Sequence, residues 1–236
     1  MRMRLRQVAL VAADLEPVEA EITEKLGLEL CFRDPGVGEF GLHNALFPVG
    51  DKFLEVVSPN EEGTTAGRLL DKRNGDGGYM VILQVDDLAD FSDRFGEHEV
   101  RIVYTAEGPG ITGIHLHPRD IGGAILSVDS TDDWQDWGWA GPDWRDKVST
   151  ELVADLLGVT IQAADPESMA RRWATVLDRA LVEDTDGHRV ELDEGVIRFV
   201  ADADGRGDGL TAIDLRAADG QARTEVICGT TVNLVP

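Results

Sequence analysis

One order of elements recurs along this chain: a strand, then a helix, then a short set of strands. Residues 5–14 (LRQVALVAAD) read as a strand. Residues 16–26 (EPVEAEITEKL) place Val18, Ile22 and Leu26 four apart on one helix face. Asp14 stands near the helix N-cap, Pro17 suits its first turn and Gly27 ends it. Further strands are predicted at 28–32 (LELCF), 40–47 and 52–58, the last two joined by the turn PVGD. The order returns at 79–87 (YMVILQVDD), followed by a helix over LADFSDRFG and strands VRIVYT, GIHLHP and GAILSVDS. It returns again at 158–165 (GVTIQAAD), with the helix PESMARRWATVL and short strands around HRVELD and EGVIRFVAD. A fourth, abbreviated unit, GLTAIDLRAADGQARTEVICGTTVNLV, keeps little helix. The strand-to-helix junctions align as VAADLE, QVDDLA and QAADPE. Acidic residues at helix starts are common for capping alone, so the inference rests on the whole order. The expected class is α+β, built from repeated β-α-β-β modules.

Between the second and third units lies DDWQDWGWAGPDW, which holds four of the five tryptophans. Its Gly and Pro argue against a regular element, and its indoles bury well, so it reads as an irregular linker strapped onto the core. Residues 1–130 are expected to form a paired N-terminal unit, 131–149 the Trp-rich linker and 150–236 an abbreviated C-terminal unit. The residues leave open whether the C-terminal unit stands apart or packs as one body with the first. A chain of 236 residues, 42% hydrophobic, has ample material for a core.

The formal charge of −23 disfavours nucleic acid and anionic membrane surfaces as partners, since both need clustered Lys and Arg. A heavily solvated acidic surface accounts for it. No window approaches the run of about 18 apolar residues that spans a bilayer. The basic start MRMRLRQVALVAADLE alternates like a strand and is interrupted by Asp14 and Glu16, so it is not read as a secretion signal. Cys31 and Cys228 are spaced for neither a zinc knuckle nor a redox pair. Each is expected as a small buried hydrophobe, and a reducing cytoplasm is the expected compartment.

Glu55 is the most informative single residue. Flanked by Leu54 and Val56 in a strand, it shares a face with Phe53 and Val57. Desolvation there would raise its pKa and suit it to proton transfer; a solvated or hydrogen-bonded carboxylate is the plain alternative. If PVGD is a tight connection, Asn44 lies opposite Glu55 and faces the same way, and His43 points to the other side. His115 and His117 are two apart in GIHLHPRD and share a strand face, a spacing that can bind metal or simply order a hairpin before Pro118. His98 and His188 read as turn residues. RLLDKR at 68–73 reads as a solvated helix face, and EGPGITG lacks the lysine and following helix of a phosphate-binding loop.

Paired modules that begin RQVALVAADLE and carry KFLEVVSP resemble the vicinal oxygen chelate superfamily. That superfamily includes glyoxalase I, extradiol dioxygenases, methylmalonyl-CoA epimerase and the bleomycin- and fosfomycin-resistance proteins. More narrowly, LHNALFPVGDKFLEVVSP followed by GIHLHPRDIGGAILSVD is similar to glyoxalase-like proteins, over about residues 5–145. The resemblance implies curved, cup-like mixed sheets with helices outside, and a divalent metal within the cup held by His or Gln and Glu. Its ligand positions fall on Gln7 and Glu55 in the first module and on Met80 and Ser127 in the second. A thioether and a neutral hydroxyl are poor partners for a hard cation, so the ligand set is incomplete and no cofactor is assigned. A metal, if bound, would fall to Gln7 and Glu55 with His115 or His117. In the third unit Gly158 stands at the position of Gln7, and VIRFVAD offers no acid where Glu55 aligns.

The function implied is that of a small-molecule protein: an isomerase, epimerase or lyase acting on a carbonyl metabolite. Glu55 would be its acid–base group, with Gln7, Asn44, Met80, Ser127, His115 and His117 against the substrate. The alternative is a non-catalytic small-molecule-binding protein with a degraded metal site, since an aromatic-lined cup holds an apolar ligand without metal. Neither the ligand nor the oligomeric state follows from the residues, and an oligomer is compatible with them.

Overall fold

The computed structural model describes every residue except Asp186, with Asp184 described through its backbone. The first module comprises β1 (Met3–Val11), α1 (Leu15–Leu26), a 3-10 turn (Pro35–Phe40), β2 (Leu42–Val49) and β3 (Lys52–Pro59). After α2 (Thr65–Arg73), the second has β4 (Gly77–Val85), α3 (Ala89–Glu97), β5 (Ile102–Gly108), β6 (Ile111–Leu116), α4 (Pro118–Ile121) and β7 (Ile125–Thr131). The third has β8 (Val153–Ala163), α5 (Pro166–Leu177), β9 (Leu181–Asp184), β10 (Gly187–Glu191) and β11 (Val196–Ala201). The fourth is β12 (Gly209–Ala217), β13 (Arg223–Ile227) and β14 (Thr230–Val235), with no helix among them.

The helices form where apolar spacing and caps coincide. In α1, Leu15, Val18, Ile22 and Leu26 are buried, and Gly27 ends the helix at φ 66°, a left-handed value that costs glycine little. In α5 the Asp165 side chain accepts from the Ser168 N–H at 3.0 Å, Pro166 occupies the first turn, and Trp173 and Leu177 face the core.

Two mixed seven-stranded sheets result, in the orders β2-β3-β1-β4-β7-β6-β5 and β13-β14-β12-β8-β11-β10-β9. In each, two modules join through an antiparallel pair, β1–β4 and β8–β12, and each first strand pairs in parallel with the last strand of its own module. This is the expected curved β-α-β-β architecture.

The sheets pack back to back. Met3, Leu5, Val8 and Leu10 of β1 share one buried cluster with Leu156, Val159 and Ile161 of β8 and with apolar residues of α1, α3 and α5. The approach is close enough to need glycine: a Cβ on Gly78 of β4 would lie 2.3 Å from Leu210 Cβ of β12. Polar clamps finish the junction. Lys52 donates to Asp155 Oδ1 and to the Leu156 carbonyl, each at 2.9 Å. Arg73 donates to the carbonyls of Gly207 and Asp208, and Arg206 returns the contact to the carbonyls of Arg73, Gly75 and Asp76.

Three local expectations change. Residues 28–32 form a single bridge, Phe32 to Leu46, because Asp34 caps the 3-10 turn and Pro35 has no N–H with which to extend a ladder. Arg73, read as part of a solvated face, is 3% exposed because the helix end is clamped between the sheets. His188 lies in β10 rather than in a turn, whereas His98 stands in the turn that ends α3, as expected.

Gly78→Ala should lower stability by roughly 1–3 kcal/mol through overpacking between the sheets. The urea midpoint measures this, and an unchanged midpoint would mean that the sheets separate freely.

Candidate functional site

The face of the first sheet turned away from the core is curled and covered. Phe40, at the end of the 3-10 turn beside β2, meets Tyr104 of β5 with ring centroids 4.9 Å apart and His115 of β6 at 6.5 Å. The two edges of the sheet are thereby brought together across the cup. The tryptophan-rich segment closes another side. Trp137 stacks on Phe53 at 6.4 Å, and Trp144 meets the same ring edge-on at 5.0 Å. Arg4 donates to the Trp134 carbonyl at 2.7 Å, and Arg6 to the carbonyls of Gln135 and Asp136 at 3.2 and 3.3 Å. Both guanidinium groups also pair with Asp51. Burial, with Arg4 alongside, lowers Arg6 to about 9, with Asp51 opposing the shift.

Backbone irregularities determine which side chains reach this face. Pairing of β1 with β4 runs Leu5 to Leu83 and then Gln7 to Ile82, leaving Arg6 as an extra residue. Such a bulge reverses the side-chain parity of a strand. Met3, Leu5, Val8 and Leu10 therefore all face the core, and Gln7 joins Arg4 and Arg6 on the cup side.

Glu55 lies at the floor, 6% exposed. Gln7 Nε2 donates to its Oε2 at 2.8 Å and Asn44 Nδ2 to its Oε1 at 2.7 Å. Both amides are themselves oriented. Trp137 Nε1 donates to Gln7 Oε1 at 2.7 Å, and the Asp34 backbone N–H donates to Asn44 Oδ1 at 2.8 Å. Indole and peptide N–H groups can only donate, so each amide must turn its NH2 towards Glu55. Burial pushes Glu55 up to about 7; the two amide donors pull the other way, and the nearby Asp34 carboxylate adds to the rise.

Asn44 reaches Glu55 diagonally. The hairpin turns at Gly50–Asp51, so Leu46 rather than Asn44 is directly opposite Glu55, and Asn44 pairs with Val57. A slip of two residues preserves the face, and His43 is exposed on the opposite one. Ser127 of β7 pairs with Ile82, and Met80 of β4 with Ala9, so both belong to the cup side. His115 pairs with Ser127 and is driven down to about 4 by burial, so it is neutral. His117 does not share its strand face: it follows the end of β6, and its Nδ1 accepts from the Arg119 N–H as the cap of α4.

A second carboxylate on this face, Asp129, had no signal in the sequence beyond its place in a strand. It is 2% exposed, accepts from Ser127 Oγ and from Trp139 Nε1 at 2.7 Å, and is pushed up to about 7 by burial against those two donors. Trp137 was legible as part of the strap, but its partner Gln7, 130 residues away, was not.

The residues present do not fit a divalent metal. Both oxygens of Glu55 face N–H donors that a cation would have to displace, and Gln7 Oε1 is already taken by Trp137. Met80 and Ser127 supply a thioether and a hydroxyl bonded to Asp129. Among the described residues, no group of three or more His, Cys, Asp or Glu side chains is placed to hold a metal ion.

A curled sheet of paired β-α-β-β modules, with a carboxylate at the floor of its cup, defines a vicinal oxygen chelate protein. The glyoxalase-like domain family model matches residues 8–177, more than half of the chain, and the protein belongs to that family. No curated protein matches the sequence. Among solved structures, a methylmalonyl-CoA epimerase in complex with methylmalonyl-CoA and NH4+ is 22% identical, covering 56% of this chain and 96% of its own, with TM-score 0.50. The Streptomyces coelicolor methylmalonyl-CoA epimerase in complex with 2-nitronate-propionyl-CoA is 20% identical over 56% of this chain and 100% of its own, also at 0.50. A hypothetical protein from Staphylococcus aureus is 11% identical and covers 100% of both chains at TM-score 0.72. At these identities the likeness establishes the fold, and the last match extends it to both sheets. No helix among the described residues is long and apolar enough to cross a membrane.

Trp137→Phe keeps the ring packing but leaves Gln7 Oε1 buried without a donor, and should cost roughly 1–3 kcal/mol in urea unfolding. Elemental analysis of protein purified without chelator or affinity metal should find no stoichiometric transition metal. Metal that is present in the native protein and lost in Glu55→Gln would overturn the reading of the donor set.

Proposed function

We propose that this protein moves a proton at a carbon next to a carbonyl group, as a metal-independent isomerase or epimerase of a small metabolite, with Glu55 as its acid–base group. The observation that carries this reading is a carboxylate held near neutrality, at about 7, by burial at the floor of a cup. A base poised there exists in both protonation states at physiological pH, which is the optimum for taking a proton and giving it back. Gln7 and Asn44 hold the carboxylate in one orientation through two N–H donors. Ser127, Met80 and His115 are assigned to the walls around the substrate, and His117 is left to its capping role. The family and its epimerase neighbours make proton transfer beside a carbonyl the reaction class to test first.

A panel of enolisable carbonyl metabolites incubated with the protein in heavy water provides the test. Deuterium should enter at the carbon next to the carbonyl. The rate should rise as pH increases through about 7, because the carboxylate rather than the acid is the base. Glu55→Gln should keep its melting temperature near that of the native protein and slow exchange by about 100-fold or more. Exchange that survives in Glu55→Gln would remove Glu55 from the reaction.

A second reading, binding without turnover, is favoured by the complete hydrogen bonding of Glu55 and by the aromatic rim of Phe40, Tyr104 and His115. Under it, a compound of the panel would raise the melting temperature and be recovered without deuterium.

A further inference from the structure

Proton abstraction beside a carbonyl needs two partners, a base for the proton and an electrophile for the oxygen on which charge develops. The superfamily resemblance assigns the electrophile to a metal, for which the donor set here is unsuited. The groups already described are committed: Gln7 and Asn44 donate to Glu55, Ser127 and Trp139 donate to Asp129, and Arg4 and Arg6 are tied to Asp51 and to the strap.

Tyr79 remains. The pairing of β1 with β4 shifts a second time, from Ala9–Met80 to Leu10–Gly78, leaving Tyr79 as the extra residue. This bulge corresponds to the one at Arg6 on β1 and has the same effect, turning Tyr79 as well as Met80 to the cup side. The ring packs with Ala9, Val11, Val57 and Ala66, and the residue is 7% exposed. Its hydroxyl makes no hydrogen bond to any described residue, and it is not among the sealed polar atoms that lack a partner. A phenol so deeply set usually has a partner. This one instead keeps a small solvent-accessible area.

Its position relative to the base is suitable. Ala9 pairs with Glu55 on one side and with Met80 on the other, so Glu55 and Tyr79 rise from the strands that flank β1. The charge on Glu55 is felt at the phenol: burial first and Glu55 second push Tyr79 up to about 12, with Arg68 opposing. The hydroxyl therefore stays protonated, and can donate, throughout the range in which Glu55 titrates. His115, the other uncommitted polar group of the cup, lies beyond β4 and β7 and owes its shift to burial alone.

We infer that Tyr79 is a catalytic residue whose O–H donates a hydrogen bond to the substrate carbonyl oxygen, replacing the family metal as electrophile, and that the substrate is an uncharged enolisable carbonyl compound. The inference rests on the proton transfer proposed for Glu55. In the step, the Glu55 carboxylate takes the proton from the carbon, the C–H electron pair becomes the C=C bond, and the carbonyl π pair moves onto oxygen, where Tyr79 holds it without giving up its own proton. Glu55 then returns the proton to carbon, and no other reactant is consumed. Arg68, the cation felt at the phenol, donates to the Gly63 carbonyl and to Thr65 Oγ1, and Arg6 is held by Asp51 and the strap. A phenol and a carboxyl group at neutrality are thus left to meet the substrate, and suit a neutral one better than an acyl phosphate or a carboxylate.

Pentafluorophenolate, an acidic phenol whose ionised oxygen imitates an enolate, is the probe. At pH 6, where Glu55 carries its proton, the native protein should bind it, and Tyr79→Phe should bind it roughly 10- to 100-fold more weakly at an unchanged melting temperature. Should Tyr79→Phe fold poorly, Tyr104→Phe leaves Tyr79 as the remaining tyrosine. Isotope labelling at its Cζ should then show one resonance that moves when the phenolate is added. Equal affinity of the native protein and Tyr79→Phe, no binding by the native protein, or an unmoved resonance would each overturn the inference. The heavy-water assay separates the two readings. Exchange lost in Glu55→Gln but kept in Tyr79→Phe would leave the base and remove the phenol. Exchange kept in Glu55→Gln would remove the base, while the phenolate affinities would still report on Tyr79.

Discussion

A carboxylate buried without a cation is the constraint around which the first sheet is arranged. Glu55 has no Lys or Arg beside it, so its charge is met by dipoles alone, two amide groups that each donate one N–H. An amide can serve in this way only if it cannot flip, and each is fixed by a group that can only donate, the Trp137 indole on one side and the Asp34 peptide on the other. The chain of bonds from indole to Gln7 to Glu55 to Asn44 to peptide therefore joins the strap, β1, β3, β2 and the approach to the 3-10 turn. It is short of full compensation, which is why burial still prevails and holds the carboxyl near neutrality.

The same face shows where the second module departs from the ligand positions that the superfamily resemblance implies. Register places Met80 and Ser127 of the second module where Gln7 and Glu55 lie in the first, since Met80 pairs with Ile125 and Ile82 with Ser127, as Gln7 pairs with Phe53 and Ala9 with Glu55. In the second sheet Gly158 pairs with Val196 and Thr160 with Arg198, so a guanidinium occupies the position of Glu55. Arg198 pairs with Asp214, which also accepts from Asn233 at 2.9 Å. That sheet has no tryptophan strap, and Val226 on its edge is 59% exposed. The two sheets thus share a scaffold but differ in what covers their outer faces, and the sequestered carboxylate belongs to the first.

The recurring order of strand, helix and strands, the caps of α1 and α5, and the placing of Gln7, Glu55, Met80 and Ser127 on strands were all legible in the residues. These depend on periodicity and local capping, whose range is a few positions. Reading failed where a strand departs from regular alternation. Arg4, Arg6 and Tyr79 reach the cup because bulges at Arg6 and Tyr79 reverse parity, and nothing in MRMRLRQ or GGYMV announces an extra residue. The segment 28–32 failed for the related reason that strand propensity cannot supply a pairing partner, and here the chain leaves for the 3-10 turn after one bridge.

The sequence by itself determined a modular α+β chain with an acidic surface and a carboxylate set among apolar neighbours. Tertiary structure decided what that carboxylate is. Its partners Gln7, Asn44 and Trp137 come from positions separated by up to 130 residues, and the strap that seals it is held by Arg4 and Arg6 from the first strand. Desolvation and hydrogen-bond orientation are properties of the assembled cup, since they depend on which groups exclude water and which way each donor points. Local sequence can place a glutamate on a strand face; only the closed sheet, with its bulges and its strap, sets the protonation of that glutamate and leaves a free phenol across β1 from it.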